Sequence, residues 1–357
     1  MRPIGYYIHH QGAGHWQRGS AIASRLRRPC TLIGSVENAA AAGAPAPVLQ
    51  LPDDRLDASF AGADWEGNRP LAFHYAPLDH PGVRDRMAAI ARWIAEADPA
   101  LLVVDVSVEV ALFARLLAVP AIVVRLAGDR TDPPHLEAFR SAEALIAPFP
   151  EALEAQNTPD WVRAKTLYAG LLAPAAAPVP TSVVDDGSVV VVLGRGGERP
   201  SVSAVAAAAA TVPEREWHVL GEVDRGYGAA LPLNLHLHGW VDDPAMHVAR
   251  AAIVVGAAGD GVLGLVASAG KRLVVLPEPR AHDEQIVKAR ALARCRAAVV
   301  REGWPTDWPA IVSEAVALDP AAISQLCRPD GAGWLARQIE AVADRCDLRR
   351  SERAIVR

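Results

Sequence analysis

The chain has 357 residues, of which 36 are lysine or arginine and 41 are aspartate or glutamate, and its formal net charge is −5. One domain usually contains roughly 100–200 residues, so the length favours two domains. The mild acidity argues against a nucleic-acid-binding protein, because such proteins usually carry a basic excess or a basic stripe. A hydrophobic fraction of 51% and a charged fraction of 22% are typical of a folded globular chain.

Membrane, zinc and disulfide signals are weak in the sequence. No stretch reaches the roughly 18 uncharged apolar residues of a membrane-spanning helix; the longest candidate, 101–124, contains Asp105, Glu109 and Arg115. The four cysteines form no CxxC pair, so we expect neither structural zinc nor a disulfide framework. The N-terminus lacks the apolar region of a signal peptide. These features predict a cytoplasmic protein without a transmembrane segment.

Short β-branched runs alternate with alanine-rich helical patterns along the chain. The predicted strands are Ile4–His9, Cys30–Gly34, Val48–Leu51, Leu101–Asp105, Ala121–Arg125, Ala144–Ala147, Val189–Leu193, Trp217–Leu220, Leu235–His238, Ala252–Val255, Leu273–Leu276 and Ala297–Val300. The predicted helices include Gln17–Arg27, Val83–Glu96, Val108–Leu117, Ser201–Ala210, Gly261–Ala269 and His282–Leu292. Because the strands are continuous apolar runs, we expect α/β domains with parallel sheets covered by helices on both sides.

The segment 170–187 is rich in proline and poor in helix signals, which is typical of a linker. The strand, glycine loop and helix that follow it repeat the plan of the N-terminus. We therefore predict a first domain over 1–172, a linker over 173–187, a second domain over 188–345 and a charged, frayed tail over 346–357. Two facing doubly wound domains would place a ligand cleft at the carboxyl ends of their strands. The tail arginines leave contact with an anionic membrane open, with a solvated tail as the alternative.

The segment 9–20, HHQGAGHWQRGS, is the most informative in the chain. A strand followed by a glycine turn and a helix start favours anion binding, since the helix start presents unpaired N–H groups. As a dinucleotide fingerprint the segment fails. Gln17 occupies the third glycine position, and Ile33-Gly34-Ser35 stands where an acidic residue is needed. Nicotinamide chemistry is therefore disfavoured.

Gly12-Ala13-Gly14-His15, followed by Arg18 and an amphipathic helix, resembles the opening of the GT-B glycosyltransferases. The similarity is to the branch of the peptidoglycan-lipid N-acetylglucosaminyltransferase and to the related macrolide and plant-type enzymes. It implies two facing Rossmann-like domains, the first binding the acceptor and the second the nucleotide sugar. It also implies that His15 is the general base on the acceptor hydroxyl, for which imidazole is suited near pH 7. The alternative is that His15 only bonds backbone at a helix start.

Asp105 ends a buried strand, and an acid at the carboxyl end of a parallel strand points towards the ligand crevice. It matches the aspartate that holds the catalytic histidine in plant-type relatives, where such a partner fixes the imidazole tautomer. The alternative is an N-cap for the next helix, with Ser107 as the competing cap. Glu109 and Asp129 are the fallback bases.

The second half contains an ordered series similar to the nucleotide-sugar site of the same superfamily. The donor-binding candidates are Gly14, Gly194, Arg195, Gly196, Val241, Ala257, Ala258, Gly259, Asp260, Gly261, Asp283, Glu284 and Gln285. A small-residue loop before a helix can hold a diphosphate through backbone N–H groups and the helix dipole, without a metal. We expect Gln285 to bond the donor sugar and Arg195 to screen the departing charge. An ordinary βαβ unit is the alternative.

Three residues depart from the pattern of the family. Leu265 stands where a glutamate binds the ribose hydroxyls, and Lys288 replaces an asparagine near the glutamine. Asp260 is an acid beside the predicted phosphate site, where it could cap the helix or bind sugar or ribose hydroxyls. Since the net charge is negative, positive charge for a diphosphate must be local, from helix ends, Arg195, Arg280 or Lys288.

The acceptor-side candidates are Trp16, Arg18, Trp65 and Asp129. His236 and His238 share one face of a predicted strand and could ligate a metal, with ordinary surface histidines as the alternative. We expect no metal site and no cofactor, only a nucleotide-diphosphate sugar, UDP-linked, as co-substrate. The acceptor, a small molecule or a lipid-linked one, cannot be read from the sequence.

The sequence thus predicts a metal-independent, inverting glycosyltransferase. Three alternatives stay open. The first is a nucleotide-sugar hydrolase, because Gly14-His15 followed by Arg18 also resembles the opening of such hydrolases. The others are an epimerase of the same fold and a non-catalytic nucleotide-sugar-binding protein, which the Leu265 departure favours.

Overall fold

The structure is a computed structural model, and it describes residues 1–9, 13–36, 38–55, 69–173, 183–194, 196–197, 199–224 and 231–355. Within these residues the chain forms two α/β domains, each built on one parallel sheet with helices on both faces. The predicted fold class is confirmed, because the valine- and isoleucine-rich runs are buried strands as expected.

The first sheet has seven parallel strands. They are β1 (Ile4–Ile8), β2 (Cys30–Gly34), β3 (Val48–Gln50), β4 (Leu101–Asp105), β5 (Ala121–Val124), β6 (Ala144–Ala147) and β7 (Thr166–Tyr168), in the order β3-β2-β1-β4-β5-β6-β7. A two-residue strand, β8 (Leu171–Leu172), follows. The helices are α1 (Ala13–Ala23), α2 (Asn38–Ala42), α3 (Pro81–Ala97), α4 (Val108–Leu116), α5 (Pro133–Ser141) and α6 (Asp160–Lys165).

Helix α1 begins four residues earlier than the predicted Gln17, so that His15 and Arg18 both lie in its first two turns. Strands β1 and β4 are central neighbours, and Ile8 pairs in register with Asp105. This register sets the end of β4 beside the chain that leads into α1. The carboxyl ends of parallel strands meet at one edge of a sheet, which is where α1 begins.

The second sheet has six parallel strands. They are β9 (Val189–Val192), β10 (Trp217–Leu220), β11 (Leu235–Gly239), β12 (Ile253–Gly256), β13 (Arg272–Val275) and β14 (Val299–Val300), in the order β11-β10-β9-β12-β13-β14. The helices here are α7 (Val202–Thr211), α8 (Ala245–Arg250), α9 (Asp260–Ala269), α10 (Glu284–Arg294), α11 (Trp308–Val316) and α12 (Ala321–Ser324). Strand β15 (Cys327–Arg328) pairs with β8. The predicted strand and helix bounds agree with these to within a few residues, whereas α8, α11 and α12 were not predicted.

The last helix, α13 (Gly331–Ile355), returns to the first domain. Its apolar residues Leu335, Ile339 and Val342 share a core with Ile4 and Ile22. The helix therefore covers the first sheet, although its residues 331–345 belong to the predicted second domain, 188–345.

The predicted frayed tail is wrong for the described part of 346–357, because α13 continues to Ile355. Arg349 binds Glu143 at 2.6 Å and Arg350 binds Asp98 at 2.7 Å. These tail arginines thus contact the first domain. Over the described ranges, no helix combines the length and the apolar character that crossing a membrane requires.

Candidate functional site

His15 and Asp105 form a hydrogen-bonded pair at the carboxyl edge of the first sheet. His15 Nδ1 lies 2.9 Å from Asp105 Oδ1, and the aspartate side chain is fully buried. The structure brings the two predicted catalytic residues together because α1 starts where β4 ends. Nδ1–H can donate to the carboxylate, which leaves Nε2 with a lone pair for proton transfer.

Arg18 holds the same carboxylate from a second direction. Its Nε donates to Asp105 Oδ2 at 3.0 Å, and its Nη2 donates to Oδ1 at 2.7 Å. Burial would raise the pKa of Asp105, but Arg18 and His15 outweigh it and lower that pKa to about 2. Asp105 is therefore a carboxylate at neutral pH. Arg18, predicted on the acceptor side, thus contacts both the candidate base and its aspartate.

Arg18 also approaches His15, with Nη2 2.9 Å from Nδ1. A guanidinium can only donate, so Nδ1 either accepts from Arg18 or donates to Asp105, but not both. The first arrangement puts the imidazole proton on Nε2, where it blocks base chemistry. The second leaves Nε2 free to accept a proton. The balance between the two tautomers thus depends on Arg18.

The end of β4 is strained. Val106 has φ = 63°, a left-handed conformation that β-branched residues rarely adopt. The cap of α4 comes from Ser107, whose hydroxyl accepts from Val110 N at 3.2 Å. The alternative of Asp105 as the helix cap is therefore wrong, and its oxygens bind His15 and Arg18.

The predicted phosphate loop follows β12 and opens α9. Gly259 is the N-cap residue, and no side chain caps the helix. A Cβ atom built on Gly259 or Gly261 would meet no atom of the described residues within 4 Å, so among these residues open space lies in front of the helix start. Unpaired N–H groups at a helix start that faces open space are suited to an anion.

Asp260, the first residue of α9, does not cap the helix but binds Lys288 Nζ at 2.7 Å. Lys288 is fully buried and also binds Glu284 at 2.9 Å. Burial would lower the pKa of Lys288, but the two carboxylates raise it, so the lysine stays charged. The positive charge of Lys288 is therefore shared by two carboxylates beside the predicted phosphate loop, and it is not available to a phosphate.

Gln285 is buried, and its Oε1 accepts from Ala258 N at 3.1 Å and from Glu278 N at 3.0 Å. It thus joins the loop after β12 to the loop after β13. Asp283, just before α10, has φ = 51° and is likewise left-handed. Gly196 O accepts from Arg280 Nη2 at 2.7 Å, so the loop after β9 contacts the loop after β13.

The remaining predicted residues lie around these loops. A Cβ atom on Gly14 or Gly194 would likewise meet no atom within 4 Å in the part of the chain that the structure describes. Trp16 is partly buried against the core of the first domain, and Val241 is partly buried against a core to which both domains contribute. Ala257 lies between β12 and Ala258. Arg195 and Trp65 lie outside the described residues.

The two domains touch at the loops after β5 and β13. Asp129 N donates to His282 O at 2.7 Å, and Arg130 Nη2 lies 3.6 Å from Glu284 Oε2. The side chain of Asp129 accepts from the Thr131 hydroxyl at 2.7 Å, a bond that lowers the pKa of Asp129. Asp129 therefore lies at the domain junction.

A histidine cluster at this junction was missed from the sequence. Asp132 binds His74 Nε2 and His135 Nδ1, each at 2.5 Å, and the His282 ring lies 4.8 Å from that of His135. Burial and the nearby Arg130 lower the pKa of His135 to about 3. In the sequence only Asp132 and His135 stand close together, three residues apart, since the other two histidines come from distant segments.

A cavity of about 830 Å³ lies at the carboxyl ends of β9, β10 and β11. Its lining includes Gly197, Asp224, Leu237 and Trp240. Trp240 is 48% exposed, and its Nε1 donates to Asp242 at 3.2 Å. This tryptophan, also missed beforehand, directly precedes the predicted donor residue Val241.

No protein-family model matches the sequence, and the comparison with curated proteins finds no match. The structure, however, is similar to solved glycosyltransferase structures. The glycotransferase of kitacinnamycin has a TM-score of 0.70 at 17% identity, covering 96% of this chain and 99% of that one. Spinosyn rhamnosyltransferase SpnG complexed with thymidine diphosphate has 0.66 at 19%, covering 95% and 100%. UGT89C1 of Arabidopsis thaliana complexed with UDP-L-rhamnose has 0.67 at 13%, covering 97% and 99%.

At these identities the likeness establishes the fold. The chain has the GT-B fold of glycosyltransferases over nearly its whole length, and the predicted resemblance is confirmed at that level.

Proposed function

We propose that the chain is a glycosyltransferase that moves a sugar from a nucleotide-diphosphate donor to an acceptor hydroxyl. The observation that carries this proposal is the bond between His15 and the buried Asp105 at the cleft edge of the first sheet. The GT-B fold supports it, since the solved structures with this fold are named as glycosyltransferases. A buried acid that orients an imidazole at a ligand crevice is the arrangement of a general base.

In the proposed reaction, His15 Nε2 takes the proton of the acceptor hydroxyl while its oxygen forms a bond to the anomeric carbon of the donor sugar. The bond from that carbon to the diphosphate oxygen breaks, and the nucleoside diphosphate leaves with the electron pair. Asp105 stabilises the imidazolium that forms. Because attack and departure occur on opposite sides of the carbon, a single displacement inverts the configuration.

The leaving diphosphate would be stabilised at the start of α9. The open space at Gly259 and Gly261 admits a phosphate to the unpaired N–H groups and the positive end of the helix dipole. Lys288 offsets the negative charge of Asp260 and Glu284, which would otherwise repel the donor. This arrangement supports catalysis without a metal ion.

The donor would be a pyrimidine nucleotide sugar, and a UDP-linked sugar is the preferred candidate. SpnG was solved with thymidine diphosphate and UGT89C1 with UDP-L-rhamnose. The cavity at the carboxyl ends of β9, β10 and β11, which Trp240 lines, offers space for the base. The acceptor, a small molecule or a lipid-linked one, would enter from the first domain beside His15.

The test has two stages. First, the purified chain is heated with a panel of nucleotides and nucleotide sugars, since a specific ligand at about 100 times its dissociation constant adds about 2.7 kcal/mol of stability. Second, the donor that stabilises the chain is incubated with candidate acceptors, with EDTA, and with water alone. We expect sugar transfer that survives EDTA and depends on an acceptor. Equal release of free nucleotide in water alone identifies a hydrolase instead, and no stabilisation by any donor contradicts the proposal.

A further inference from the structure

Four histidines meet at the outer edge of the second sheet. His218 lies on β10, His236 and His238 lie on β11, and His247 lies on α8. Residues two apart on a strand point to the same face, and the parallel register pairs His218 with His236. Helix α8 follows β11 and brings the ring of His247 to 4.8 Å from that of His238. We name these four residues the sheet-edge histidines.

Three of the sheet-edge histidines direct ring nitrogens at one point. His218 Nδ1 lies 3.0 Å from His238 Nε2. One ligand nitrogen from each of His218, His238 and His247 lies within 4.8 Å of the other two. Imidazoles around a tetrahedral zinc ion have Zn–N distances of about 2.0–2.1 Å, which sets their nitrogens roughly 3.3 Å apart. The three nitrogens therefore need only small ring rotations to share an ion.

The fourth histidine is engaged elsewhere. The His236 ring stacks on that of His218 at 4.9 Å, but its Nε2 binds Glu216 at 2.7 Å. His236 therefore takes no part in the ligand set. His238 is exposed and the other two ligands are half-buried, so an ion can enter from solvent and keep a water as its fourth ligand.

We propose that His218, His238 and His247 bind one late first-row divalent metal ion, with Zn²⁺ foremost. Neutral imidazole is the ligand that zinc, nickel and copper share. The inference goes beyond the proposed sugar transfer and does not depend on it, since the site lies on β10, β11 and α8 and not on α1, β4 or α9. The sequence pointed only to the pair His236 and His238, because His218 and His247 are far from it along the chain.

The junction cluster of His74, His135 and His282 is the competing location, since its ligand nitrogens also lie within 4.8 Å of one another. There, however, Arg130 Nη1 lies 3.0 Å from His135 Nε2 while Asp132 takes Nδ1. A guanidinium occupies the lone pair that an ion would need and adds positive charge beside it. The sheet-edge site is free of such a contact in the described residues and is favoured.

The experiment uses the full chain stripped of metal by chelation and titrated with Zn²⁺ against a chromogenic chelator. Co²⁺ absorption reports the coordination geometry in parallel. We expect one tight Zn²⁺ per chain. His218→Ala, His238→Ala and His247→Ala should each weaken binding at least about ten-fold, because even residues that only orient metal ligands contribute 10–100-fold.

His236→Ala is the matched control, on the same strand and equally exposed, and it should keep wild-type affinity. Circular dichroism and the melting temperature without metal establish that each variant folds. The proposal is overturned if the wild-type chain binds no stoichiometric Zn²⁺, if His236→Ala weakens binding as much as His238→Ala, or if the double variant H218A/H238A keeps the ion while His282→Ala loses it.

Discussion

Arg18 Nη1, on α1 of the first domain, lies 3.8 Å from Asp260 Oδ2 at the start of α9 in the second. Arg18 also holds the buried Asp105, and Asp260 also binds Lys288. Charges of alternating sign thus run from the candidate base, His15, to the candidate phosphate loop. A substitution that removes one of these charged side chains leaves an adjacent charge without its counter-charge, and this lowers the stability of the fold.

The first prediction concerns the candidate base. His15→Gln removes the proton acceptor, and Asp105→Asn removes the group that fixes its tautomer, so each should lower kcat by roughly 10²–10⁴. Donor affinity should change little, because the base acts on the acceptor. Initial rates over an acceptor series, with thermal shift for donor binding, measure both effects. Ser107→Ala is the control, since it removes the α4 cap and a bond to Glu109 at a cost of about 1 kcal/mol and leaves the bonds between His15, Asp105 and Arg18 in place. Unchanged turnover in His15→Gln would show that the base lies elsewhere.

The second prediction is that Arg18→Met destabilises the chain. Asp105 is fully buried and would lose its cation, and breaking a buried ion pair costs about 3–5 kcal/mol. Its pKa of about 2 lies below the ordinary aspartate value, so the contribution of the charged carboxylate is present above about pH 4 and is lost as pH falls towards 2. Urea unfolding at pH 7 measures the loss.

Arg25→Met supplies the comparison for Arg18→Met. Arg25 follows α1 and pairs at 3.8 Å with Asp330, and both side chains are well exposed. Such surface pairs contribute about 0–1 kcal/mol, so this variant should unfold almost as the wild type does. Equal losses of stability in the two variants would mean that the buried pair of Arg18 and Asp105 contributes no more than an exposed pair.

Features that depend on residues close together in the sequence could be predicted, whereas features that depend on distant residues could not. The strands could be predicted because Val189–Val192 and similar runs are uniformly apolar, and such runs report burial on both faces. His15 and Asp105 could be brought together because both follow central strands whose ends share one edge. Strand order and the placement of a loop between domains carry no such local signal.

The missed features are long-range pairings. The i,i+4 spacing of Glu284 and Lys288 on a helix is typical of an ion pair, but nothing near Lys288 indicates that Asp260 would join them in a fully buried place. The apolar stripe of α13 predicts that one face is buried, yet the stripe cannot say which domain it covers. α13 continues past residue 345, where its ion pairs, such as Arg349 with Glu143, join residues that only the folded chain brings together.

The third prediction concerns Lys288. Lys288→Met leaves Asp260 and Glu284 without their shared cation beside the phosphate loop. Stability should fall by roughly 3–5 kcal/mol. Donor affinity should fall because the two acids keep only the more distant Arg18 and Arg130 as counter-charges and repel a diphosphate more strongly. The double variant K288M/D260N removes one acid and should recover part of both losses. Calorimetric donor titrations and urea unfolding test the pair, and strictly additive losses would contradict the coupling.

The fourth prediction concerns the domain junction at Gly128, which has φ = 105° and whose added Cβ would meet His282 O at 2.4 Å. Gly128→Ala should therefore push the loops after β5 and β13 apart. Gly303→Ala is the matched control, because Gly303 also has a positive φ of 66° but open space around it. The stability of Gly303→Ala should fall by roughly 1–2 kcal/mol, the cost of a left-handed conformation at a non-glycine residue. Small-angle scattering should show a larger radius of gyration for Gly128→Ala alone, and identical profiles would contradict a closed junction.

The last prediction is the acid sensitivity that His135 confers. Burial and Arg130 hold the pKa of His135 at about 3, below its ordinary value of about 6.5. The unfolded chain therefore binds a proton that the folded chain does not, and this residue makes stability fall as pH drops from about 6.5 towards 3. One proton corresponds to a slope of about 1.4 kcal/mol per pH unit. His135→Gln should flatten the dependence of the free energy of unfolding on pH by about that slope between pH 6 and 4, as urea titrations at each pH would show. Ser141→Ala, on the same helix and without a titrating group, should keep the wild-type slope, and equal slopes in His135→Gln and wild type would mean that His135 is protonated in the fold.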